Sequence, residues 1–315
     1  MISLVRLAIP ASLLILVSLV VASTVSAQTA SLVKDIWPGF RNHSELSPGH
    51  ITVYKNGIFF QANEPSTGRE LWSDDGTGTG PRLLADLCPG ECSSTPRILG
   101  VARSLLFGLA VADHQDQATL WRTDGTRQGT LLLPPPLFDI YIPFNRFNDE
   151  ATPPVILARD SVYFTGCRSA NECSLWRSDG TLEGTRDLAP GASGVAPVEL
   201  AAVGNLIFFS TYKKLWVTDG TVAGTVVVKE FAEETPRRLA ALGSKLMFLA
   251  ADPTEELWIS DGTATGTRPV TSLAPEHPFQ QTSFLKALDG RIYFVVDDIT
   301  HGAELWSSDG TPQGT

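Results

Sequence analysis

Beyond the first 30 residues, apolar and polar positions alternate in short runs broken by turn residues. Ile51-Thr52-Val53-Tyr54 is one such run; Lys55-Asn56-Gly57 breaks it, and Ile58-Phe59-Phe60 follows. Near the other end, Phe284-Leu285-Lys286-Ala287-Leu288 leads through Asp289-Gly290 into Arg291-Ile292-Tyr293-Phe294. Asn-Gly and Asp-Gly between apolar runs signal β-hairpins, because both central residues tolerate positive φ. β-Branched and aromatic residues dominate these runs, as suits strands. No helical period appears between Gln28 and Thr315. Phe60, Phe107, Phe164, Phe209, Phe248 and Phe294 end the second run of successive units and are expected to form one aromatic column.

A third run carries Leu-Trp and leads into a turn. The phrase Leu-Trp-x-x-Asp-Gly-Thr-x-x-Gly recurs six times, around Trp72, Trp121, Trp176, Trp216, Trp258 and Trp306, with one extra Asp at Asp74-Asp75. The Trp-to-Trp spacings are 49, 55, 40, 42 and 48 residues. A fourth run leaves the turn, as in Val226-Val227-Val228-Lys229. Each unit therefore reads as four antiparallel strands, and a period of roughly 40–50 residues is that of a propeller blade. The expected fold is all-β: a single β-propeller of six four-stranded blades over residues 28–315. Ser31-Leu32-Val33-Lys34-Asp35-Ile36 has the character of a fourth strand with no first three before it, and the sequence reaches Gly314-Thr315 where a sixth fourth strand should start. A ring closed by this N-terminal outer strand is the arrangement expected.

Residues that recur in every unit are first of all fold devices. The six Trp side chains are expected to wedge between neighbouring blades, each contributing on the order of 200 Å² of buried surface. Asp75, Asp124, Asp179, Asp219, Asp261 and Asp309 are expected to brace turns in which Gly takes the positive φ. A calcium site is the rival reading of these turns. One carboxylate per turn falls short of the roughly six to eight oxygens that calcium takes, so no metal or cofactor is expected.

The first residues break the pattern. Arg6 precedes an apolar run from Leu7 to Val21, and Val25-Ser26-Ala27 offers small residues at a cleavage point. Residues 1–27 read as a signal peptide cut before Gln28, the run being short for a membrane span of about 20 apolar residues. An exported chain follows, whether secreted, periplasmic or at the cell surface, with no span left after cleavage. A net charge of −10 argues against a nucleic-acid partner. Cys88 and Cys92, and Cys167 and Cys173, fall into two local pairs that an oxidising compartment would join as disulfides. Their spacings fit zinc knuckles poorly.

Glu-Leu-Trp-x-Ser-Asp-Gly-Thr-x-x-Gly-Thr, from Glu256 to Thr267 and again from Glu304 to Thr315, resembles the ELWxxDGT repeat family of exported bacterial proteins. Leu32-Val33-Lys34-Asp35-Ile36-x-Pro38-Gly39 is similar to the segment that follows the phrase in that family. The resemblance implies an exported, propeller-like repeat protein and brings no activity with it. Gly80-Pro81 stands where Gly-Thr is expected, and Thr119, Ser174 and Lys214 where Glu is expected, so no role that needs Glu in every blade is carried over.

Strand direction sorts the loops. Turns between strands one and two, and between three and four, fall on one face and are tight and nearly uniform. The other face takes everything irregular: both cysteine pairs, and a long insert from Pro134 to Pro154 with Phe138, Tyr141, Phe144, Arg146 and Phe147. Variable loops on a rigid scaffold are where binding usually resides. The same insert also reads as a plug or cover over blade edges. His114 and His301 lie in loops of this face; His43, His50 and His277 have no metal-binding partner at close spacing. Glu64, Asp113, Asp252, Glu255, Asp297 and Asp298 collect there too, as a glycosidase-type carboxylate pair would require. No nucleophile elbow, phosphate loop or dinucleotide fingerprint is present. The leading expectation is a monomeric, non-catalytic binding or scaffold module that presents the loop face to a protein or glycan. A hydrolase or lyase at the channel mouth and a structural surface protein, calcium-stabilised or not, are the alternatives.

Overall fold

The structure, a computed structural model, describes residues 49–111, 117–133, 142–143, 155–169, 172–189, 196–232, 234–251, 255–272, 282–298 and 302–315. These residues form six antiparallel sheets. The first contains β1 (Gly49–Tyr54), β2 (Gly57–Glu64), β3 (Gly68–Asp74) and β4 (Arg82–Ala85). The second contains β5 (Arg97–Ala102), β6 (Leu105–Val111), β7 (Gln117–Thr123) and β8 (Leu131–Leu132), with β9 (Ile142–Pro143) also paired to β7. The third contains β10 (Val155–Ala158), β11 (Ser161–Cys167), β12 (Cys173–Ser178) and β13 (Arg186–Asp187). The fourth contains β14 (Glu199–Val203), β15 (Leu206–Thr211), β16 (Lys214–Thr218) and β17 (Val226–Glu230). The fifth contains β18 (Arg237–Leu242), β19 (Lys245–Ala251), β20 (Glu255–Ser260) and β21 (Arg268–Ser272). The sixth contains β22 (Thr282–Leu288), β23 (Arg291–Asp298) and β24 (Gly302–Ser308), and is three-stranded.

The meander order within each sheet is the one the repeat dictates, and it makes the fold all-β and propeller-like. First strands neighbour one another in succession, β1 with β5, β5 with β10, β10 with β14, β14 with β18 and β18 with β22. The fourth strand keeps a constant offset. Trp72 faces Leu83, Trp121 faces Leu132, Trp176 faces Asp187, Trp216 faces Val227 and Trp258 faces Pro269, always eleven residues on.

Alternation gives each sheet two apolar sides. The Leu of Leu-Trp looks towards the following sheet and the Trp towards the preceding one. Leu215, Phe208 and Val228 of the fourth sheet thus pack with Trp258 and Phe248 of the fifth. Leu109, Leu120 and Phe107 of the second pack with Trp176 and Phe164 of the third.

Five of the six aromatic positions align as the sequence suggests: Phe60, Phe164, Phe209, Phe248 and Phe294 each sit opposite the Trp of their unit. Phe107 does not. Gly108 lies opposite Trp121 and Phe107 opposite Arg122, which turns Phe107 to the other side of its sheet. A Cβ on Gly108 would lie 2.2 Å from the Trp121 ring, so the missing side chain is the space the indole fills. A one-residue shift flips a strand side chain to the opposite face, which is why spacing alone misassigned it.

Candidate functional site

The Asp-Gly-Thr turns form a closed hydrogen-bond circuit. In the fifth sheet the Thr263 amide and hydroxyl both donate to Asp261 Oδ1, at 2.9 and 2.7 Å. The Gly266 amide donates to Thr263 Oγ1, and Thr267 Oγ1 donates to the Thr263 carbonyl. The Gly262 amide donates to Ser260 Oγ, which pairs at 2.7 Å with Thr267 Oγ1. The same contacts recur at Asp179, Asp219 and Asp309. Gly262 takes φ +93°, and its counterparts lie between +72° and +96°. The second Gly is fixed for another reason: a Cβ on Gly266 would lie 2.1 Å from Asp261 Oδ1.

Charge follows geometry. The Thr hydroxyl and amide hold the carboxyls of Asp75, Asp124, Asp219, Asp261 and Asp309 below the usual carboxylate range. At Asp179 burial is the largest influence and pushes up, but Thr181 with Arg103 and Arg177 outweighs it and the net direction is down.

These turns also fasten sheet to sheet. The Gly of every turn but the first abuts the hairpin of the preceding sheet: Gly125 lies against Phe59, Gly180 against Phe107, Gly220 against Tyr163, Gly262 against Phe208 and Gly310 against Met247. Basic residues reach across the same seams. Lys55 Nζ donates to the Asp124 carbonyl at 2.6 Å, Arg103 meets the Asp179 carboxylate at 3.0 Å, and Arg159 donates to the Asp219 carbonyl at 2.7 Å. One face of the assembly is thereby committed to holding the sheets together.

On the opposite face the described loops of the first, third and fourth sheets are built differently. In the first, Glu70 is fully buried: its carboxylate accepts the Leu87 amide at 2.7 Å, the Ser94 amide at 2.8 Å and the Ser94 hydroxyl at 2.6 Å. It clamps the loop that the Cys88–Cys92 disulfide closes. Burial pushes the Glu70 carboxyl up to about 7 against the pull of these donors, with Asp86 adding to the rise. In the third sheet Cys167 and Cys173, partners in the β11–β12 ladder, are joined as the second disulfide. Beside them Arg168 pairs with Asp187 at 2.9 Å and lies 5.0 Å over the Trp176 ring. In the fourth sheet the β15–β16 turn is tight and leaves Tyr212 61% exposed, with Lys213 Nζ 5.6 Å from its ring.

Of the long insert, the described part is β9, which pairs with β7 at Gln117 and Ala118 and neighbours β11. That portion covers a sheet edge between the second and third units. Phe138, Tyr141, Phe144, Arg146, Phe147, His114 and His301 lie outside the described residues, as do Asp113 and Asp252 and residues 1–27. Glu64 ends β2 and Glu255 begins β20, while Asp297 and Asp298 end β23. Among the described residues no three His, Cys, Asp or Glu side chains gather as a metal ion would need. No helix among them is long and apolar enough to cross a membrane.

Four of the six Trp side chains, Trp72, Trp121, Trp176 and Trp258, are at most 4% exposed. Trp216 is half-buried and donates from Nε1 to Thr211 Oγ1, and Trp306 is 38% exposed. Sequence reasoning missed Glu70, Arg168 and Tyr212 as individuals. Only Glu70 left a trace, as the Glu ahead of Leu-Trp.

No family model and no curated protein matches the chain. Among solved structures it is similar to the computationally designed Ika8 protein, at 17% identity and TM-score 0.44, covering 85% of this chain and 73% of that one. It is also similar to the β-propeller domain of the Trilobed protease from Pyrococcus furiosus, at 10% identity and TM-score 0.42, covering 84% of this chain and 83% of that one. A prolyl endopeptidase is similar at 14% identity and TM-score 0.46; 85% of this chain matches 41% of its length.

Proposed function

We propose that this chain is an exported, non-catalytic binding or scaffold module, secreted, periplasmic or at the cell surface, that offers its variable loop face to a protein or glycan. In this reading residues 28–315 make one ring of six blades, the sixth completed by the N-terminal segment. The observation that carries the reading is the division of labour between faces. The turn face is repetitive: its Asp and Thr side chains bond within their own turns, and Lys55, Arg103 and Arg159 reach across to the turn of the next sheet. The described loops of the other face differ from one another and are stiffened locally, by two disulfides and by the Glu70 clamp. Rigid supports under dissimilar loops are what a recognition surface needs. Both disulfides also suit an oxidising, extracytoplasmic compartment.

The test is a thermal-shift screen of residues 28–315 against glycans, cell-envelope proteins, calcium and EDTA. A ligand that binds the folded state alone adds about 2.7 kcal/mol at 100 times its dissociation constant, enough to raise the melting temperature visibly. The expected result is a shift with a glycan or envelope protein and none with EDTA. Loss of stability in EDTA, restored by calcium, would move the reading to a calcium-stabilised structural protein. Turnover of a glycan in the same samples would move it to a hydrolase or lyase.

A further inference from the structure

The fourth sheet ends differently from its neighbours. Beyond the residue opposite Trp, the second and third strands of the third sheet stay paired as far as Cys167 and Cys173, and those of the fifth as far as Ala251 and Glu255. In the fourth the ladder stops one pair earlier, at Thr211 and Lys214, which shortens the hairpin by about 3.4 Å. Two letters change with it. Thr211 stands where the other units have Ala62, Ala110, Gly166, Ala250 and Val296, and Lys214 stands where Glu70, Glu256 and Glu304 do.

The turn of this hairpin is Tyr212-Lys213, with Lys213 at φ +56°. It is held from outside the hairpin. The Phe231 amide donates to the Lys213 carbonyl at 2.7 Å, the Lys213 amide donates to Thr235 Oγ1 at 3.3 Å, and Lys213 Nζ donates to the Ala232 carbonyl. The link after β17 thus fixes the turn on which Tyr212 stands exposed. Directly opposite residues of a sheet point to the same side. Thr211 faces Lys214 and Lys214 faces Glu230, so the three share one side, with Trp216 two residues further along β16. Trp216 is half-buried there, its indole N–H donating to Thr211 Oγ1 at 2.9 Å. Lys214 Nζ lies 3.5 Å from Glu230 Oε2, and both side chains reach solvent.

We propose that this end of the fourth sheet is a glycan subsite, in which a neutral sugar ring lies on Tyr212 and its hydroxyls meet Lys214 and Glu230. The proposal rests on the binding-module reading and names the ligand of that face. A pyranose has a C–H face that packs on an aromatic ring, and hydroxyls that both donate and accept. The site offers the matching set: a ring, an ammonium that donates and a carboxylate that accepts. An exposed ion pair contributes little to stability, so its two groups can turn to sugar hydroxyls at small cost. A tyrosine on a fixed turn has little conformational freedom to lose on binding. A protein partner of ordinary size would need about 800 Å² of this chain and a cluster of anchors. Tyr212 and Val198 are the large apolar side chains that the described end of this sheet exposes, which suits one sugar ring better.

The test is calorimetric titration of the full chain with cellotetraose, xylotetraose, chitotetraose and mannotetraose, repeated on variants of equal melting temperature. At least one of these sugars should bind. Tyr212→Ala should then weaken it at least about tenfold while Tyr212→Phe stays within about twofold, because the ring stacks and its hydroxyl is dispensable. Lys214→Met and Glu230→Gln should each weaken it several-fold. If Tyr212→Ala melts lower, Tyr212→Leu, which keeps an apolar side chain without the ring, takes its place. A sugar bound equally by the parent chain and by the Tyr212 variants overturns this subsite and leaves the binding module standing. Binding that depends on Tyr212 and is untouched by both Lys214→Met and Glu230→Gln overturns the role of the ion pair. Binding of a purified envelope protein, with none of the sugars bound, overturns the glycan assignment and again leaves the module standing. No binding of either kind overturns the subsite and the module together.

Discussion

Glu70 is a buried carboxyl held far from its ordinary state in water. Its ordinary value is 4.5, and burial carries it to about 7 in the folded chain. A carboxyl raised on folding stabilises most when protonated in both states, so this contribution is fully present below about 4.5 and is lost as pH rises through about 7. The turn carboxyls act in the opposite sense. Their values are lowered, so what they contribute is present above the unfolded carboxylate range and lost as pH falls through it. Urea unfolding should therefore show greatest stability in mild acid, with a decline towards neutrality of at most about 3 kcal/mol, since each pKa unit is worth about 1.4 kcal/mol. Glu70→Gln should flatten that decline while leaving the loss in strong acid. A decline unchanged in the variant would remove Glu70 as its source. At this scale the sequence was legible by class and not by case. Glu precedes Leu-Trp at only three of the six units, and nothing in a string of letters says which of them is buried over its own loop. Phe107 shows the same limit: only the position of Gly108 opposite Trp121 says which way that strand faces.

At the scale of the element, the turn was read correctly in its Asp and Gly and incompletely in its hydroxyls. The residue before Asp is Thr123, Ser178, Thr218, Ser260 or Ser308, and each pairs with the Thr seven positions on at 2.7 Å. The first unit departs at both ends of that pair, with Asp74 in place of the hydroxyl and Pro81 in place of the Thr. Its Gly76 amide donates to Asp74 Oδ1 instead. The two departures make one change, which comparison of the six units could have exposed. The second Gly provides a direct test. A Cβ on Gly224 would lie 2.1 Å from Asp219 Oδ1, so Gly224→Ala should cost about 2 kcal/mol in unfolding experiments. Asp219→Ala should cost less in the Gly224→Ala background than alone, because the clash and the carboxylate vanish together. Additive losses would mean that the Gly serves backbone conformation and not the carboxylate.

At the scale of the whole molecule, the repeat period and the four-run unit foretold six antiparallel sheets, because alternation and turn residues are written locally. The extra pairing of β9 in the second sheet was not foretold, since a two-residue strand inside the long insert carries no alternation of its own. The loop face was legible only as a region. Its disulfides followed from compartment and spacing, whereas the Glu70 clamp and the exposed Tyr212 depend on how loops fold back on their own strands. The central claim is that one face holds the sheets together and the other meets the partner. The most direct measurement is the affinity of the best partner for two variants of equal melting temperature. One alters the loop face at Tyr141, Phe144, Phe147 and Tyr212; the other alters exposed turn-tip residues Leu182 and Val222. The account predicts that binding is lost in the first and kept in the second. Binding kept in the first, or lost in the second, would contradict it.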